Sequence, residues 1–219
     1  VVLLHDDPAG PVYSLYAHLA AIDPALKVGA AVKAGDRLGR MGNTPEGTIP
    51  VARSHVHLEI GVICSPRFDR WFHAKKLKPN HGLYNGMNLL GFNPLAPFET
   101  QAAGCDFSLV DHLDSIKTAF EVVLATRDRP PYFDDYPSRW VGPDADGAAW
   151  LAVSDSGIPL AGRAATAEEK ATLGRRKAVV LRADPEVLGR NGRRIVVRDN
   201  TGWRLGQAGE QWLDILTFR

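Results

Sequence analysis

The chain has 219 residues, 45% of them hydrophobic, with a formal net charge of +1 at pH 7. This size allows a sizeable core in one or two domains, and the near-neutral charge indicates no particular partner, least of all a nucleic acid. The longest apolar runs are too short for a transmembrane helix. Two cysteines, Cys64 and Cys105, permit one disulfide without requiring it, and they exclude a C-x-x-C zinc knuckle.

The first 62 residues predict short strands joined by turns rich in glycine and proline. Residues 1–5 form a candidate strand that runs into a turn at residues 6–11. A second candidate strand, residues 12–19, alternates polar and apolar positions and carries His18 near its end. Glycines divide residues 28–42 into short apolar pairs, as in a tight meander of strands.

The run H-V-H-L-E-I at residues 55–60 is the most informative part of the sequence. Successive side chains of a strand point to opposite faces, so His55, His57 and Glu59 would share one face. Two imidazoles beside a carboxylate suit a metal site or a general-base site. For so short a pattern, a solvated strand face that happens to hold two histidines is the alternative.

Three motifs follow one another in order: Y-A-H-L at residues 16–19, V-G-x-x-V-K-x-G-D-x-L-G-x-x-G at residues 28–42, and S-H-V-H-L-E-I at residues 54–60. Together they resemble the lysostaphin-type zinc endopeptidases, which cut peptidoglycan cross-bridges. The resemblance covers about residues 1–62. It implies a mostly β protein whose peptidase domain is built on an antiparallel β-sheet, related to the barrel-sandwich hybrids.

The resemblance also implies a role for each histidine. His57, the second histidine of the H-x-H pair, would bind Zn²⁺, while His55 and His18 would flank the metal-bound water as catalytic groups. Neighbouring imidazoles can take the proton of that water and stabilise the oxyanion. Glu59 is either an acceptor that orients a ligand histidine or an ordinary exposed carboxylate, and it stays outside the core assignment. The expected partners are peptidoglycan peptides, met outside the bacterial cytoplasm.

The sequence departs from the family's pattern at its start. The family's other zinc ligands come from an H-x-x-x-D segment that precedes the strand before Y-x-H-L, and here that strand begins at Val1. His5 is followed by Asp6 and Asp7 and does not supply this spacing. We expect the missing segment, together with a signal peptide, to lie ahead of Val1. One expected ligand of three should not hold zinc tightly.

The expected peptidase domain spans residues 1–100, with an insertion at about 63–91 that holds a short helix after Pro66. His73 and His81 lie in this insertion without ligand spacing and are interpreted as surface residues. The loop 43–50 lies next to the H-x-H strand in sequence, and the resemblance implies that it helps to form the substrate groove. Residues 101–118 are predicted as a linker and a short helix.

Residues 119–219 are predicted as an accessory module, α+β or mostly β, without a nucleophile–base pair or a phosphate loop. Ser108 and Thr166 are candidate helix N-caps, and Gly174 is a candidate helix stop. The expected strands lie at residues 120–126, 149–154, 178–182, 195–198 and 212–218. Each of two D-x(x)-G turns predicts a hairpin.

The sequence is also compatible with two other functions. A degenerate homologue without catalysis would bind and regulate a wall hydrolase; the retention of His18, His55 and His57 argues against it. A lipoyl- or biotin-type carrier would explain the glycine-rich stretch at residues 28–42. A carrier needs an exposed lysine at a hairpin tip, usually beside a methionine, whereas Met41 is followed by Gly42, and the histidines stay unexplained.

Overall fold

The computed structural model describes residues 1–44, 49–78 and 81–219. Strands outweigh helices, as the mostly β fold class predicts. In the described residues the strands are β1 (Val2–His5), β2 (Val12–Ala17), β3 (Leu19–Ile22), β4 (Gly39–Met41), β5 (His57–Ile63), β6 (Leu89–Phe92), β7 (Phe120–Ala125), β8 (Trp140–Val141), β9 (Ala148–Val153), β10 (Pro159–Ala164), β11 (Ala178–Ala183), β12 (Val196–Asp199) and β13 (Gly202–Leu205).

The helices are short. They are α1 (Phe68–Ala74), α2 (Leu95–Ala102), α3 (Leu109–Ser115), α4 (Tyr132–Asp135), α5 (Ala167–Leu173), α6 (Pro185–Leu188) and α7 (Gln207–Leu216). Single 3-10 turns occur at Val51–Arg53, Gly82–Tyr84 and Pro137–Arg139. None of the helices in the described residues has the length and apolar character needed to cross a membrane.

The first sheet has the strand order β1-β2-β5-β6 and is antiparallel throughout. One row across it consists of Tyr13, Gly61 and Gly91, which face one another on β2, β5 and β6. Because the two glycines have no side chains, the Tyr13 ring extends across β5 towards β6. Its hydroxyl lies 3.6 Å from the position that a Cβ on Gly91 would take. In this position Tyr13 is fully buried.

A two-stranded ribbon of β3 and β4 continues from the end of β2. The sequence predicted a meander of strands over residues 28–42, but only β4 forms there, and residues 23–38 are turns and irregular chain. The carboxylates of Asp23 and Asp36 accept hydrogen bonds from the backbone N–H groups of Ala25 and Lys33. These hydrogen bonds from side chain to nearby backbone stabilise turns in place of paired strands.

The second sheet has the order β11-β7-β9-β10-β8 and is antiparallel except where β8 runs parallel to β10. Helix α5 covers one face, where Leu173 packs beside Val123. As residues 165–176 predict, α5 begins with a capping box on Thr166 and ends at Gly174, whose φ is 55°. The two predicted hairpins are β9–β10 and β12–β13.

One hydrophobic core joins the two sheets. The first sheet contributes Ile60 and Val62, and the second sheet contributes Val122 and Leu151, to the same cluster. Helices α1, α3, α4, α6 and α7 add aromatic and aliphatic side chains to this cluster. Helix α3 lies within the segment predicted as a linker and a short helix, and its Leu113 is buried in this core. The division into a peptidase domain and an accessory module stays a prediction, and the two parts pack against each other.

Two helix predictions are confirmed, and one strand prediction is wrong. Ser108 caps α3 by accepting a hydrogen bond from the Asp111 N–H, and α1 forms after Pro66. Residues 212–218, predicted as a strand, belong largely to α7 instead. The buried side chains of α7 recur at helical spacing, so packing onto the core selects the helix over the β propensity of this segment; they are Trp212, Leu213, Ile215 and Leu216.

Candidate active site

Strand register brings His18 beside His57. Ala17, the last residue of β2, pairs with His57, the first residue of β5. His18 is the next residue after Ala17, and its ring centroid lies 5.6 Å from that of His57. The two imidazoles are nearly perpendicular, at 87°.

The β3–β4 ribbon brings in the third histidine. Leu19, at the start of β3, pairs with Met41 at the end of β4. The following residue, Gly42, makes a single antiparallel bridge with His55, in which the His55 N–H donates to the Gly42 carbonyl at 3.1 Å. A Cβ on Gly42 would lie 2.5 Å from the backbone nitrogen of Ala20, so the close approach of this residue to β3 requires glycine.

The three predicted site histidines therefore converge. The ring centroids of His18 and His55 lie 4.9 Å apart, with 61° between the ring planes. The His57 ring also contacts His18, so the rings of His55 and His57 both lie against the ring of His18. The pairing of the strands thus assembles a cluster from residues up to 39 positions apart in the sequence.

His18 adopts a backbone conformation that is unusual for a residue with a side chain. Its φ is 58°, in the left-handed region. This conformation separates β2 from β3 at a single residue. A left-handed residue other than glycine costs about 1–2 kcal/mol, and such residues concentrate at functional sites.

Backbone carbonyls determine which nitrogen carries the hydrogen in two of the rings. His55 Nδ1 lies 2.8 Å from the carbonyl oxygen of Arg53, and His18 Nδ1 contacts the carbonyl oxygen of Thr44. A carbonyl oxygen only accepts hydrogen bonds, so each Nδ1 carries a hydrogen. In the neutral ring, Nε2 is then the unprotonated nitrogen and is able to accept a proton.

In His57 the other ring nitrogen, Nε2, makes the hydrogen bond. Its Nε2 lies 2.7 Å from Oε1 of Glu59, two residues further along β5. An ionised carboxylate only accepts, so Nε2 carries the hydrogen and Nδ1 keeps the lone pair. The cluster therefore contains two rings of one tautomer and one ring of the other.

The cluster is open to solvent. About 42% of the His57 side chain and 41% of the Glu59 side chain are exposed, and His55 is exposed as well. Two cavities of about 770 and 530 Å³ open elsewhere in the described residues, and no histidine of the cluster lines either of them.

The other histidines considered at the sequence level lie away from this cluster. His5 contacts the hydroxyl of Ser14 at 2.7 Å, within the β1–β2 pair. His73 and His81 are exposed, as expected for surface residues. Of the loop predicted to form the groove, residues 45–48 lie outside the described part of the chain; Asn43 donates its side-chain amide to the Ile49 carbonyl.

Residues 1–67 match the family model described as Peptidase family M23. This M23 segment contains all three histidines of the cluster. The match confirms the resemblance that the motifs indicate, and it supports a peptidase class for this part of the chain. No curated protein and no solved structure matches the chain.

The M23 family is generally zinc-dependent, so the question is whether the residues of the cluster can supply the ligands of a zinc ion. A zinc site in an enzyme has three protein ligands and one open position. Within residues 1–44, 49–78 and 81–219, no group of three or more His, Cys, Asp or Glu side chains is arranged to hold a metal. Each ring keeps one unprotonated nitrogen, Nδ1 in His57 and Nε2 in His18 and His55, but these three nitrogens are not arranged around a common metal position. These residues do not make a complete zinc site by themselves.

Sequence reasoning missed some of the groups that surround the cluster. The carbonyls of Thr44 and Arg53 belong to the backbone, so the residue types at these positions do not predict their role. Tyr13, whose hydroxyl donates to Oε2 of Glu59 at 3.4 Å, did have a signal. Pairing the two alternating strands in antiparallel register puts it on the same face as Glu59.

Proposed function

We propose that the chain is the histidine-bearing part of a zinc-dependent endopeptidase that hydrolyses peptide bonds in the cross-bridges or stem peptides of bacterial peptidoglycan, outside the cytoplasm. One observation carries the proposal: within the M23 segment, the rings of His55 and His57 both lie against the ring of His18. The cluster is exposed to solvent, where a substrate can reach it.

The proposed chemistry assigns the proton transfers to His18 and His55. Hydrolysis of a peptide requires a base that takes a proton from the attacking water and an acid that protonates the leaving amine. A neutral imidazole with a free Nε2 can serve as the base, and the resulting imidazolium as the acid. The carbonyls of Thr44 and Arg53 fix the two rings in the form that presents Nε2.

The zinc part of the proposal needs ligands beyond His57. By the resemblance, they belong to an H-x-x-x-D segment ahead of the strand that here is β1. We therefore expect catalysis only from a protein that carries such a segment. The exposure of the cluster suits a substrate that is part of a large polymer, because a cross-linked wall cannot enter a closed cavity.

The test compares two proteins: the 219 residues alone, and the same chain together with whatever residues its gene encodes before Val1. Each is incubated with purified peptidoglycan, with zinc or with a chelator, and the release of new amino groups is measured. We expect cleavage only by the longer protein with zinc. Replacement of the exposed His73 by Ala should leave that cleavage unchanged and is the control for loss of a histidine outside the cluster.

Two outcomes contradict the proposal. Zinc-dependent cleavage by the 219 residues alone would mean that the metal ligands are mislocated, with His73 and His81 as the first suspects. A longer protein that binds zinc but cleaves no wall peptide would favour the regulatory homologue, which should instead change the rate of a wall hydrolase added to the assay.

A further inference from the structure

We propose that Glu59 and Tyr13 are positioning residues of the histidine cluster: Glu59 holds the His57 ring through its Nε2–H, and Tyr13 holds Glu59. The inference rests on the proposed function, because holding the His57 ring in place serves a purpose only if His57 takes part in that function. The geometry that it describes is testable without any reaction.

The first step is the contact between Glu59 and His57. The two residues stand at alternate positions of β5, so their side chains lie on the same face. Oε1 of Glu59 is 2.7 Å from Nε2 of His57, a distance typical of a charge-assisted hydrogen bond. This contact determines which ring nitrogen keeps its lone pair, and it restricts rotation of an imidazole that is otherwise 42% exposed.

The second step is the contact between Tyr13 and the other carboxylate oxygen. The Tyr13 hydroxyl lies 3.4 Å from Oε2 of Glu59. Burial, reinforced by the charge of Glu59, raises the pKa of the Tyr13 hydroxyl far above its usual range, so the hydroxyl keeps its proton and donates. Glu59 thereby has one oxygen on His57 and the other on a fully buried side chain.

The third step is the space that lets Tyr13 reach Glu59. Leu15, not Tyr13, stands directly opposite Glu59 in the register. Tyr13 faces Gly61 and then Gly91, and its ring extends over this glycine row. A Cβ on Gly61 would itself lie 2.1 Å from the Leu90 carbonyl, so the β5–β6 pairing also requires glycine there. The tyrosine is thus held by the sheet and provides a rigid support for the exposed carboxylate.

The experiment uses the 219-residue protein labelled with ¹⁵N and ¹³C, without metal and at a pH where the imidazoles are neutral. Long-range ¹H–¹⁵N spectra identify the protonated nitrogen of His57, and relaxation of the His57 ring carbons reports the mobility of the ring. The variants are Glu59→Ala, Glu59→Gln and Tyr13→Phe. Tyr16→Phe is the matched control, because it removes a hydroxyl from the same strand on the opposite face.

We expect the wild-type ring to be rigid and protonated at Nε2 alone. Glu59→Ala should give a mobile ring with a detectable fraction protonated at Nδ1. Glu59→Gln should restore most of the order, because the amide oxygen can accept from the same Nε2–H. Tyr13→Phe should give intermediate mobility, and Tyr16→Phe should match the wild type.

Amide shifts of Gly61 and Ile63 show in each case whether β5 remains folded. A rigid His57 ring of unchanged tautomer in a folded Glu59→Ala protein overturns the role of Glu59. A Tyr13→Phe ring as rigid as the wild type overturns the role of Tyr13. Failure of the longer, zinc-loaded protein to cleave peptidoglycan would refute the proposed function, whereas the spectra of the 219-residue protein test the contacts of Glu59 and Tyr13 independently of cleavage.

Discussion

The hydroxyl of Tyr136 donates a hydrogen bond to the carbonyl oxygen of Pro11 at 2.7 Å, across 125 positions of the chain. The same hydroxyl accepts from the backbone N–H of Ile63 at 2.9 Å. One buried side chain between α4 and the following 3-10 turn therefore ties together the start of β2 and the end of β5, the two strands that carry His18 and His57 near their other ends.

Replacing Tyr136 by Phe should destabilise the protein by about 1–3 kcal/mol, because it leaves the buried N–H of Ile63 and the partly buried carbonyl of Pro11 without this partner. Tyr132→Phe is the matched control. The two rings stack with centroids 4.5 Å apart, but within the described residues the buried Tyr132 hydroxyl has no hydrogen-bond partner. Its removal should be neutral or stabilising. Urea unfolding monitored by circular dichroism measures both; equal losses would contradict the assignment.

The histidines should separate into two classes in a protein that binds zinc. His57→Ala should abolish metal binding, whereas His18→Ala and His55→Ala should retain zinc and lower kcat by about 10²–10⁴-fold. A ligand determines metal affinity, and a base or oxyanion donor acts on the transition state. Elemental analysis beside peptidoglycan hydrolysis distinguishes them. If His55→Ala loses the metal and His57→Ala keeps it, the ligand face has been assigned to the wrong histidine.

Acid should weaken the second sheet through Glu169. Two hydrogen bonds from the Arg163 guanidinium, of 2.8 and 2.7 Å, lower the pKa of Glu169 to about 2. An unfolded glutamate titrates near ~4.3. Because the folded pKa is the lower one, this stabilisation is complete above ~4.3 and is lost as the pH falls towards about 2.

Glu169→Gln should therefore reduce the loss of stability between about pH 7 and about pH 3, measured as the shift of the urea midpoint. Glu168→Gln, at the neighbouring exposed position, is the control and should behave as the wild type. A pH dependence that is the same in all three proteins would show that the Arg163 pair contributes nothing to folding.

The two cysteines should differ in reactivity. Both are free. Cys105 is exposed, whereas Cys64 is completely buried, and burial raises the pKa of its thiol to about 12. Because the thiolate is the reactive form, a chromogenic disulfide reagent should label one thiol in the folded protein and two in denaturant. Rapid labelling of both thiols in the folded wild-type protein, or of Cys64 in the folded Cys105→Ser variant, would place Cys64 at the surface.

Much of the histidine cluster was predictable from local patterns. Alternation places His57 and Glu59 on one face of a strand, and the order of three short motifs indicates the family. The approach of His18 is different, because it depends on the register between β2 and β5 and on the β3–β4 ribbon. Register is a property of two paired strands, and neither sequence run specifies it alone.

The C-terminal half shows where local patterns fail. The N-cap at Thr166 and the stop at Gly174 were predictable, since capping is a matter of a few neighbouring residues. Helix α7 was not, because Trp212 and Ile215 favour strands when only propensity is considered. Their burial in the core shared by both sheets decides the outcome, and that core is assembled from the whole chain.

Because the backbone of His18 is left-handed, stability favours glycine at this position, whereas the proposed chemistry requires histidine. Glycine adopts a φ of 58° without the penalty that an imidazole-bearing residue incurs. A library of variants sorted only for resistance to heat or protease should therefore enrich glycine at position 18, while a library sorted for peptide hydrolysis should reject it. If a relative of this chain has lost the proposed reaction, we expect glycine to be favoured at the position of His18, because only stability is then selected there.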